Sequence, residues 1–468
     1  MVAAEHEGVF VPMVGLNSNR RTLLKVGGLG LLGLTMPNVL RAVEKATKGP
    51  NARAKSVIFL FQYGGPSHID MFDMKPDAPS SIRGPFNPIS SSADGIQVCE
   101  KLPKTAKIMD KVSVIRSVHH TMKNHNSAGY YALTGHAPPS DDQRLRESLA
   151  LYPAYGSVVD KLAPSDGAMP TFISYPHVIA DGSITPGQGA SFLGKRHDPF
   201  FFQADPNAND FALPELTLPN NLSLDRLADR RGLQSLIDRQ AGILEASVEA
   251  RGVDALYQKS LSMLSSPKLK AAFDLSREAA PVREAYGRST YGQGCLLARR
   301  LVEHGAKFVT VYFSKSIGGR STTEGGWDTH GFDNTRMFPI VEKYHFPITE
   351  QTLPTFLNDL DGRGLLKETL VVWMGEFGRT PKINANKSRD HWPQCYSVLL
   401  AGGGVKGGYV YGASDKHAMY PDDKPVTLGD LSATMYHLLG IDPATEVHDT
   451  QDRPLPIATG EPILDVIG

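Results

Sequence analysis

Five short apolar runs, rich in β-branched and aromatic residues, constrain the fold of this chain more than any other feature. The first is a continuous apolar segment, which is typical of a strand that is buried on both faces of a sheet. It ends at the turn-forming sequence Gly64-Gly65-Pro66, as expected where a strand opens into a loop. The five predicted strands cover residues 57–61, 112–116, 307–313, 369–374 and 396–400.

Helix-period stretches lie between these strands. Before the third strand, one apolar face consists of Tyr291, Cys295, Ala298, Leu301 and Val302. Gly305 follows at the position where this helix would end. A further helix is predicted over residues 428–439, with Thr427 as its N-cap and Gly440 as its stop. Strand, helix and strand in succession predict crossovers and a mostly parallel sheet, and hence an α/β fold.

The remaining organisation is simple. Residues 224–275 have the longest helical periodicity and contain no strong strand, so we interpret them as a helical insertion within one domain of residues 55–468. Lys plus Arg and Asp plus Glu both number 49, so no net charge attracts nucleic acid or an anionic membrane, and we expect neither as a partner. The three cysteines form no CxxC pair; one disulfide could form, but three buried thiols are expected.

The N-terminus reads as an export signal. Arg20 and Arg21 precede an apolar, glycine-rich stretch over residues 26–36, which is too short to span a bilayer. The paired arginines predict a twin-arginine leader and linker over residues 1–54, the twin-arginine translocon as a partner, and a periplasmic or other extracytoplasmic location. The alternative is the basic start of an amphipathic helix, which the frequent glycines disfavour.

Four polar clusters follow the predicted strands, where open α/β sheets place their sites. The first, residues 64–73, contains His68, Asp70 and Asp73; the acids could instead belong to the first turn of a helix. The second is rich in imidazoles, which can bind metal or act as a base near neutral pH. Its histidines are His119, His120, His125 and His136.

The third and fourth clusters combine acids with bases. Asp328 and His330 are two residues apart, so in an extended loop both can point to one side and share a cation. The alternative is an Asp-capped turn. Glu376 follows a strand directly, where a charge is costly unless it is paired. Arg379 could be its partner, or it could bind an anionic substrate in a bidentate manner.

Several motifs resemble a known family. They are Gly-Gly-Pro-Ser-x-x-Asp-x-Phe-Asp-x-Lys-Pro from Gly64, Gly-Trp-Asp-Thr-His from Gly326, Gly-Glu-Phe-Gly-Arg-Thr-Pro from Gly375, and Arg-Asp-His-Trp from Arg389. Together they resemble the domain of unknown function 1501 family, from about residue 20 to the C-terminus. The resemblance implies kinship with alkaline phosphatases and sulfatases, and their three-layer α/β/α fold.

This kinship implies a metal site, because the related enzymes bind two metal ions. Asp328 and His330 resemble one ligand pair and His391 resembles the final ligand, which together predict a site for divalent zinc, manganese or iron. The adjacent Asp-His pair of the second site is replaced by Glu376-Phe377, and phenylalanine cannot bind metal. At the position of the sulfatase nucleophile, counted back from Gly135, the chain has His125.

The leading hypothesis is an exported, metal-assisted hydrolase of sulfate or phosphate esters, acting on small molecules or glycans. Asp328, His330 and His391 would hold the metal, and His125, Glu376 and Arg379 would be the catalytic residues, with Ser127 the nearest hydroxyl. The alternative hypothesis is a catalytically degenerate scaffold that binds an extracytoplasmic partner or polysaccharide.

Overall fold

A computed structural model describes residues 49–167, 169–212, 266–315, 325–331 and 336–468. Residues 1–48 of the predicted leader and linker, and most of the predicted helical insertion, lie outside these residues.

The core of the protein is one eight-stranded sheet. All five predicted strands belong to it, and three short strands are added. In chain order, the strands are β1 (Ser56–Phe61), β2 (Val112–Val118), β3 (Phe172–Tyr175), β4 (Phe200–Phe201), β5 (Phe308–Tyr312), β6 (Thr369–Met374), β7 (Tyr396–Ala401) and β8 (Tyr409–Tyr411). Their order across the sheet is β8-β2-β7-β6-β1-β5-β3-β4.

Seven strands point the same way, and only β7 runs against its neighbours β6 and β2. The parallel pairs place β1 at the centre, between β5 and β6. A parallel connection needs a crossover, which is usually a helix, and the chain between β6 and β7 contains only the small ribbon Gly378–Arg379/His391–Trp392. The strand that follows therefore returns antiparallel, and the expectation of a mostly parallel α/β sheet is confirmed.

Helices cover both faces of the sheet. The longer ones are α1 (His125–Thr134), α2 (Tyr155–Leu162), α3 (Thr290–Glu303), α4 (Phe346–Gly362) and α5 (Leu428–Leu438). Shorter helices are Ser80–Arg83, Pro103–Ala106, Pro267–Phe273, Ala280–Tyr286 and Met337–Ile340, and the π-helix Val341–His345 leads into α4. The remaining two-stranded ribbons are Pro88–Ser90/Gln97–Cys99, Ala180–Asp181/Ser183–Ile184, Ala413–Ser414/Pro421–Asp423 and Glu446–His448/Pro454–Pro456.

The two faces of β1 show why this is a three-layer structure. Ile58 and Leu60 belong to one hydrophobic core, which includes the buried residues of α3 and α4. Val57 and Phe59, with opposite orientation, belong to a second core with α2 and α5. Alternate side chains of a strand point to opposite faces, so a continuous apolar run requires a helical layer on each side.

The predicted helix ends are also confirmed. Thr427 caps α5, with its hydroxyl accepting from the backbone N–H of Asp430, and the Asp430 carboxylate accepts from the Thr427 N–H at 2.8 Å. Gly305 and Gly440 follow α3 and α5 with positive φ angles of 100° and 78°.

Two further observations concern the whole of the described chain. The three cysteines are buried and unpaired, as expected. Among the described helices, none combines the length and apolar character that a membrane crossing requires.

Candidate metal centre

Loops at one edge of the sheet bring the polar clusters together. The loops after β1, β2 and β6 leave the carboxyl ends of strands that point the same way, and the segment Gly325–Gly331 follows β5. In a parallel sheet these ends share one edge, so residues far apart in sequence become neighbours.

Glu376 anchors this edge. Its carboxylate is fully buried and accepts from the backbone N–H of Gly64 at 2.9 Å. The close approach needs glycine: Gly65 has φ 77°, and a Cβ there would lie 2.6 Å from the Phe377 ring. The Glu376 carbonyl also accepts from His120 Nε2 at 2.7 Å, so this acid is held through both its side chain and its backbone.

His125, the first residue of α1, pairs with this acid. Its Nδ1 lies 2.6 Å from Glu376 Oε1, and its Nε2 lies 3.5 Å from Asp328 Oδ2. Burial lowers the pKa of His125, but the adjacent Asp328 and Glu376 carboxylates outweigh burial and raise the pKa to about 9.

Asp328 contacts all three histidines of the centre and Arg379. Its Oδ1 lies 2.7 Å from His330 Nε2 and 3.0 Å from His391 Nε2, and it accepts from the Arg379 guanidinium at 2.6 Å. Burial opposes ionisation of Asp328, but Arg379 and the three histidines outweigh it and hold the pKa well below its ordinary value.

The histidines face one another through the same ring nitrogen. His330 Nε2 and His391 Nε2 are 2.9 Å apart. Burial, helped by the charges of His125 and Arg379, lowers the pKa of His391 to about 3 despite its contact with Asp328. Both Nε2 atoms therefore face the same small space beside the Asp328 carboxylate.

The Nδ1 atoms of His125, His330 and His391 have hydrogen-bond partners of their own. Each faces an acceptor: Glu376 for His125, the Asp390 carboxylate at 2.8 Å for His330, and the Lys123 carbonyl at 2.7 Å for His391. A metal ion bound at the Nε2 atoms would displace any proton there and leave each Nδ1–H donated to its acceptor, which is the usual arrangement of metal-binding histidines.

These side chains form a group that could hold a metal ion. Ligand atoms of His125, Asp328 and His391 all lie within 4.8 Å of one another. His330 Nε2 lies beside two of them. Geometry therefore brings together the three predicted ligands Asp328, His330 and His391, and adds His125 to them.

Arg379 pairs with Asp328, and the expected pairing with Glu376 is wrong. It does not pair with Glu376, whose partners are His125 and Gly64. Its fully buried guanidinium donates to the Gly65 carbonyl at 3.0 Å, to the Gly64 carbonyl and to Asp328. It therefore neutralises Asp328 and ties it to the loop after β1.

The centre opens on one side. The side chains of His330 and His391 are 17% and 20% exposed, whereas that of His125 is 3% exposed. The carboxylate of Asp390 is 47% exposed beside them. A small molecule would reach the centre past His330 and His391.

The polar side chains of the first cluster, His68, Asp70 and Asp73, contact other residues and not the candidate ligands. Asp70 forms a buried ion pair with Arg389 at 2.7 Å, and His68 Nε2 contacts the Ala418 carbonyl at 3.0 Å. Asp73 pairs with Lys75 at 3.0 Å. These side chains thus have structural partners, but residues 64–73 form turns, and the alternative of a first helical turn is wrong.

After β2, Ser127 and His136 also have partners outside the centre. The Ser127 hydroxyl donates to the Asp142 carbonyl at 3.0 Å, and His136 Nε2 contacts the Ile457 carbonyl at 3.1 Å. His119 is half-buried, and burial lowers its pKa. The contact that sequence reasoning missed is Asp390 with His330, although Asp390 lies in the Arg-Asp-His-Trp motif next to His391.

Comparisons with solved structures find likenesses to bacterial enzymes. The PsFucS1 sulfatase from Pseudoalteromonas sp. is 12% identical, with TM-score 0.37 over 86% of this chain and 70% of that chain. The phosphonate monoester hydrolase of Agrobacterium radiobacter is 11% identical, with TM-score 0.38 over 88% and 77%. The alkaline phosphatase from the Antarctic bacterium TAB5 is 13% identical, with TM-score 0.31 over 80% and 97%.

These likenesses are weak by both measures and assign no activity to this chain. A search of curated proteins finds no significant match. The family model described as protein of unknown function (DUF1501) matches residues 54–467, and the chain therefore belongs to this family.

Proposed function

We propose that this protein is an exported hydrolase of phosphate or sulfate esters that depends on one divalent metal ion. The observation that carries the proposal is the convergence of three imidazole Nε2 atoms on the Asp328 carboxylate. The motifs that resemble the domain of unknown function 1501 family support the ester class, through the kinship with alkaline phosphatases and sulfatases that this resemblance implies.

The donor set fits a divalent cation. His125 Nε2 is buried and has no hydrogen-bond partner among the described residues. Imidazole nitrogens with one carboxylate suit zinc, manganese or iron. Once His125 gives up its Nε2 proton to a metal ion, the carboxylates of Asp328, Glu376 and Asp390 would outnumber the cation Arg379, and a divalent ion would balance this excess.

The chain's own residues would have distinct tasks. His125, Asp328, His330 and His391 would hold the ion. Glu376 is fully buried, so it would act through His125, keeping the proton on Nδ1 and the lone pair on Nε2. Arg379 would fix Asp328 in place and offset its charge, since its guanidinium is already occupied.

When bound, a divalent ion would supply Lewis-acid polarisation of a phosphoryl or sulfuryl oxygen. The exposed sides of His330 and His391 would face the incoming ester, and the buried His125 side would exclude water from the back of the centre.

The first test is metal content. The chain from Lys55 would be purified after folding in the cytoplasm and analysed by elemental mass spectrometry, beside a His330→Ala/His391→Ala variant. We expect near-stoichiometric zinc, manganese or iron that is lost in this variant. The matched control is His417→Ala/His448→Ala, two histidines outside the centre, which should retain the metal. Metal-free folded protein, or metal retained by the first variant, would refute the centre.

The second test is turnover. Metal-loaded protein would be assayed on aryl phosphate and aryl sulfate esters and on sulfated oligosaccharides. Hydrolysis that disappears with a chelator and returns with the ion would support the proposal. Stoichiometric metal without hydrolysis of any of these esters would contradict the ester chemistry.

A second candidate is a binding scaffold without turnover. One observation favours it: the Ser127 hydroxyl, the nearest one to His125 in the sequence, donates to the Asp142 carbonyl at 3.0 Å and to the Ser140 carbonyl at 3.2 Å. Retention of a polysaccharide by protein that hydrolyses no ester would favour the scaffold.

A further inference from the structure

Asp390 and Asn384, which have no proposed catalytic or metal-binding role, orient His330. Asp390 Oδ1 lies 2.8 Å from His330 Nδ1. The same oxygen accepts from the Asn384 side-chain amide at 3.1 Å, and this amide also donates to the His330 backbone carbonyl at 3.1 Å. The Asn384 amide therefore binds both the backbone of His330 and its side-chain partner Asp390.

Asn384 is itself held in place. Its Oδ1 accepts from the backbone N–H groups of Asn386 and Ser388, each at 3.0 Å. Its own N–H donates to the Ser388 carbonyl at 2.9 Å. The amide nitrogen is thus fixed by a closed turn, and it cannot rotate away from His330 without breaking that turn.

The chain after His330 packs directly on this turn. Gly331 has φ 87°, and a Cβ there would lie 2.6 Å from the Asn386 Cβ and 2.7 Å from the Ser388 hydroxyl. Only glycine fits at this distance and φ. The backbone of His330 is therefore pressed against the turn that carries its orienting groups.

We infer that Asn384 and Asp390 are positioning residues, which together orient the His330 ring so that its Nδ1–H is donated to Asp390 and its Nε2 faces the metal-binding group. The inference rests on the proposed metal centre for its functional meaning. A carboxylate that accepts the second ring proton both sets the tautomer and raises the ligand basicity of the ring.

Asp390 is a better test residue than Glu376. Its carboxylate is 47% exposed, whereas that of Glu376 is fully buried and serves His125. Replacing Asp390 thus leaves no buried group without water, and the fold should tolerate Asp390→Ala and Asp390→Asn. Asparagine keeps an oxygen that can accept from Nδ1–H; alanine does not.

The first experiment detects the Nδ1–H proton of His330 in the metal-free, histidine-labelled chain from Lys55 by proton–nitrogen NMR, with His330→Gln identifying the signal. We expect a slowly exchanging Nδ1–H proton in the wild type and in Asp390→Asn, and its loss or fast exchange with water in Asp390→Ala and Asn384→Ala. An unchanged signal in both alanine variants, or no slowly exchanging Nδ1–H proton in the wild type, would overturn the inference.

The second experiment measures affinity for cobalt(II) by visible absorption in competition with a chelator. We expect about 10- to 100-fold weaker binding for Asp390→Ala, a smaller loss for Asp390→Asn, and no change for Asp449→Asn, a carboxylate in another loop. Equal affinity in Asp390→Ala would overturn the positioning role. If the wild type binds no cobalt, the proposed function fails, and the NMR experiment still decides whether Asp390 and Asn384 position His330.

Discussion

At the scale of single residues, the buried charges of Asp328 and Glu376 are stabilised by the Arg379 and His125 side chains that contact them. Asp328 and His330 were predictable as a pair, since their spacing allows both side chains to face one side of a loop. His125 was predicted as a catalytic group, and the structure places its Nε2 3.5 Å from Asp328 Oδ2, beside the predicted ligands. The partner of Glu376 could not be chosen from the sequence, because Arg379 is three residues away and His125 is far along the chain.

Glu376 should therefore be sensitive to apolar replacement. Glu376→Leu leaves the Gly64 N–H and His125 Nδ1 buried without an acceptor, so we expect the free energy of unfolding to fall by about 3 kcal/mol. Urea denaturation measures the change. Glu368→Gln, which alters an exposed pair with Lys55, is the control and should stay within about 0.5 kcal/mol of wild type. A Glu376→Leu protein as stable as wild type would contradict the contacts described.

At the scale of elements, the five long strands were recognisable because burial on both faces leaves them almost wholly apolar. The short strands β3, β4 and β8 were missed, since two to four residues carry too little pattern and depend on pairing with a neighbour. The reversed direction of β7 was also not predicted, because direction depends on the path of the connection from β6. Capping, by contrast, is local, and the start of α5 was readable.

The cap of α5 should contribute measurably to stability. Thr427→Ala removes the hydroxyl that accepts from the Asp430 N–H, and we expect a loss of about 1 kcal/mol. Guanidinium denaturation would check it, and Thr427→Ser, which keeps the hydroxyl, should retain most of the stability. Equal losses for both variants would show that the methyl group matters and the cap does not.

At the scale of the whole molecule, histidines packed in both cores make the fold sensitive to acid. Burial lowers the pKa of His120, His136 and His345 to about 4 in each case. The unfolded chain therefore binds more protons than the folded chain between pH 4 and about 6.5, and stability is lost as the pH falls through that range.

This acid sensitivity can be assigned to one residue. Each such histidine should cost about 2 kcal/mol of stability between pH 7 and pH 5. His136→Gln removes one titration, so its loss over this interval should be smaller than that of wild type by about this amount. His448→Gln, an exposed histidine, should follow the wild type. Identical pH dependence of the His136→Gln and wild-type proteins in urea denaturation would refute the assignment.

Export can be tested on the full chain. If residues 1–54 act as a twin-arginine leader, Arg20→Lys with Arg21→Lys should leave the protein in the cytoplasm, because the translocon reads the arginine pair. Cell fractionation and immunoblotting measure its location, with Arg41→Lys as a charge-conserving control. Periplasmic accumulation of the double variant would exclude this route.

The central position of β1 has a consequence for synthesis on the ribosome. Its pairing partners begin near Phe308 and Thr369, about 250 residues or more later in the chain. At about 5 to 20 residues per second, the most apolar strand waits some 10 to 50 seconds for its first neighbour. During that interval both of its edges can pair with other chains. We therefore expect that a chaperone bound to this strand would reduce aggregation of the nascent protein until translation is nearly complete.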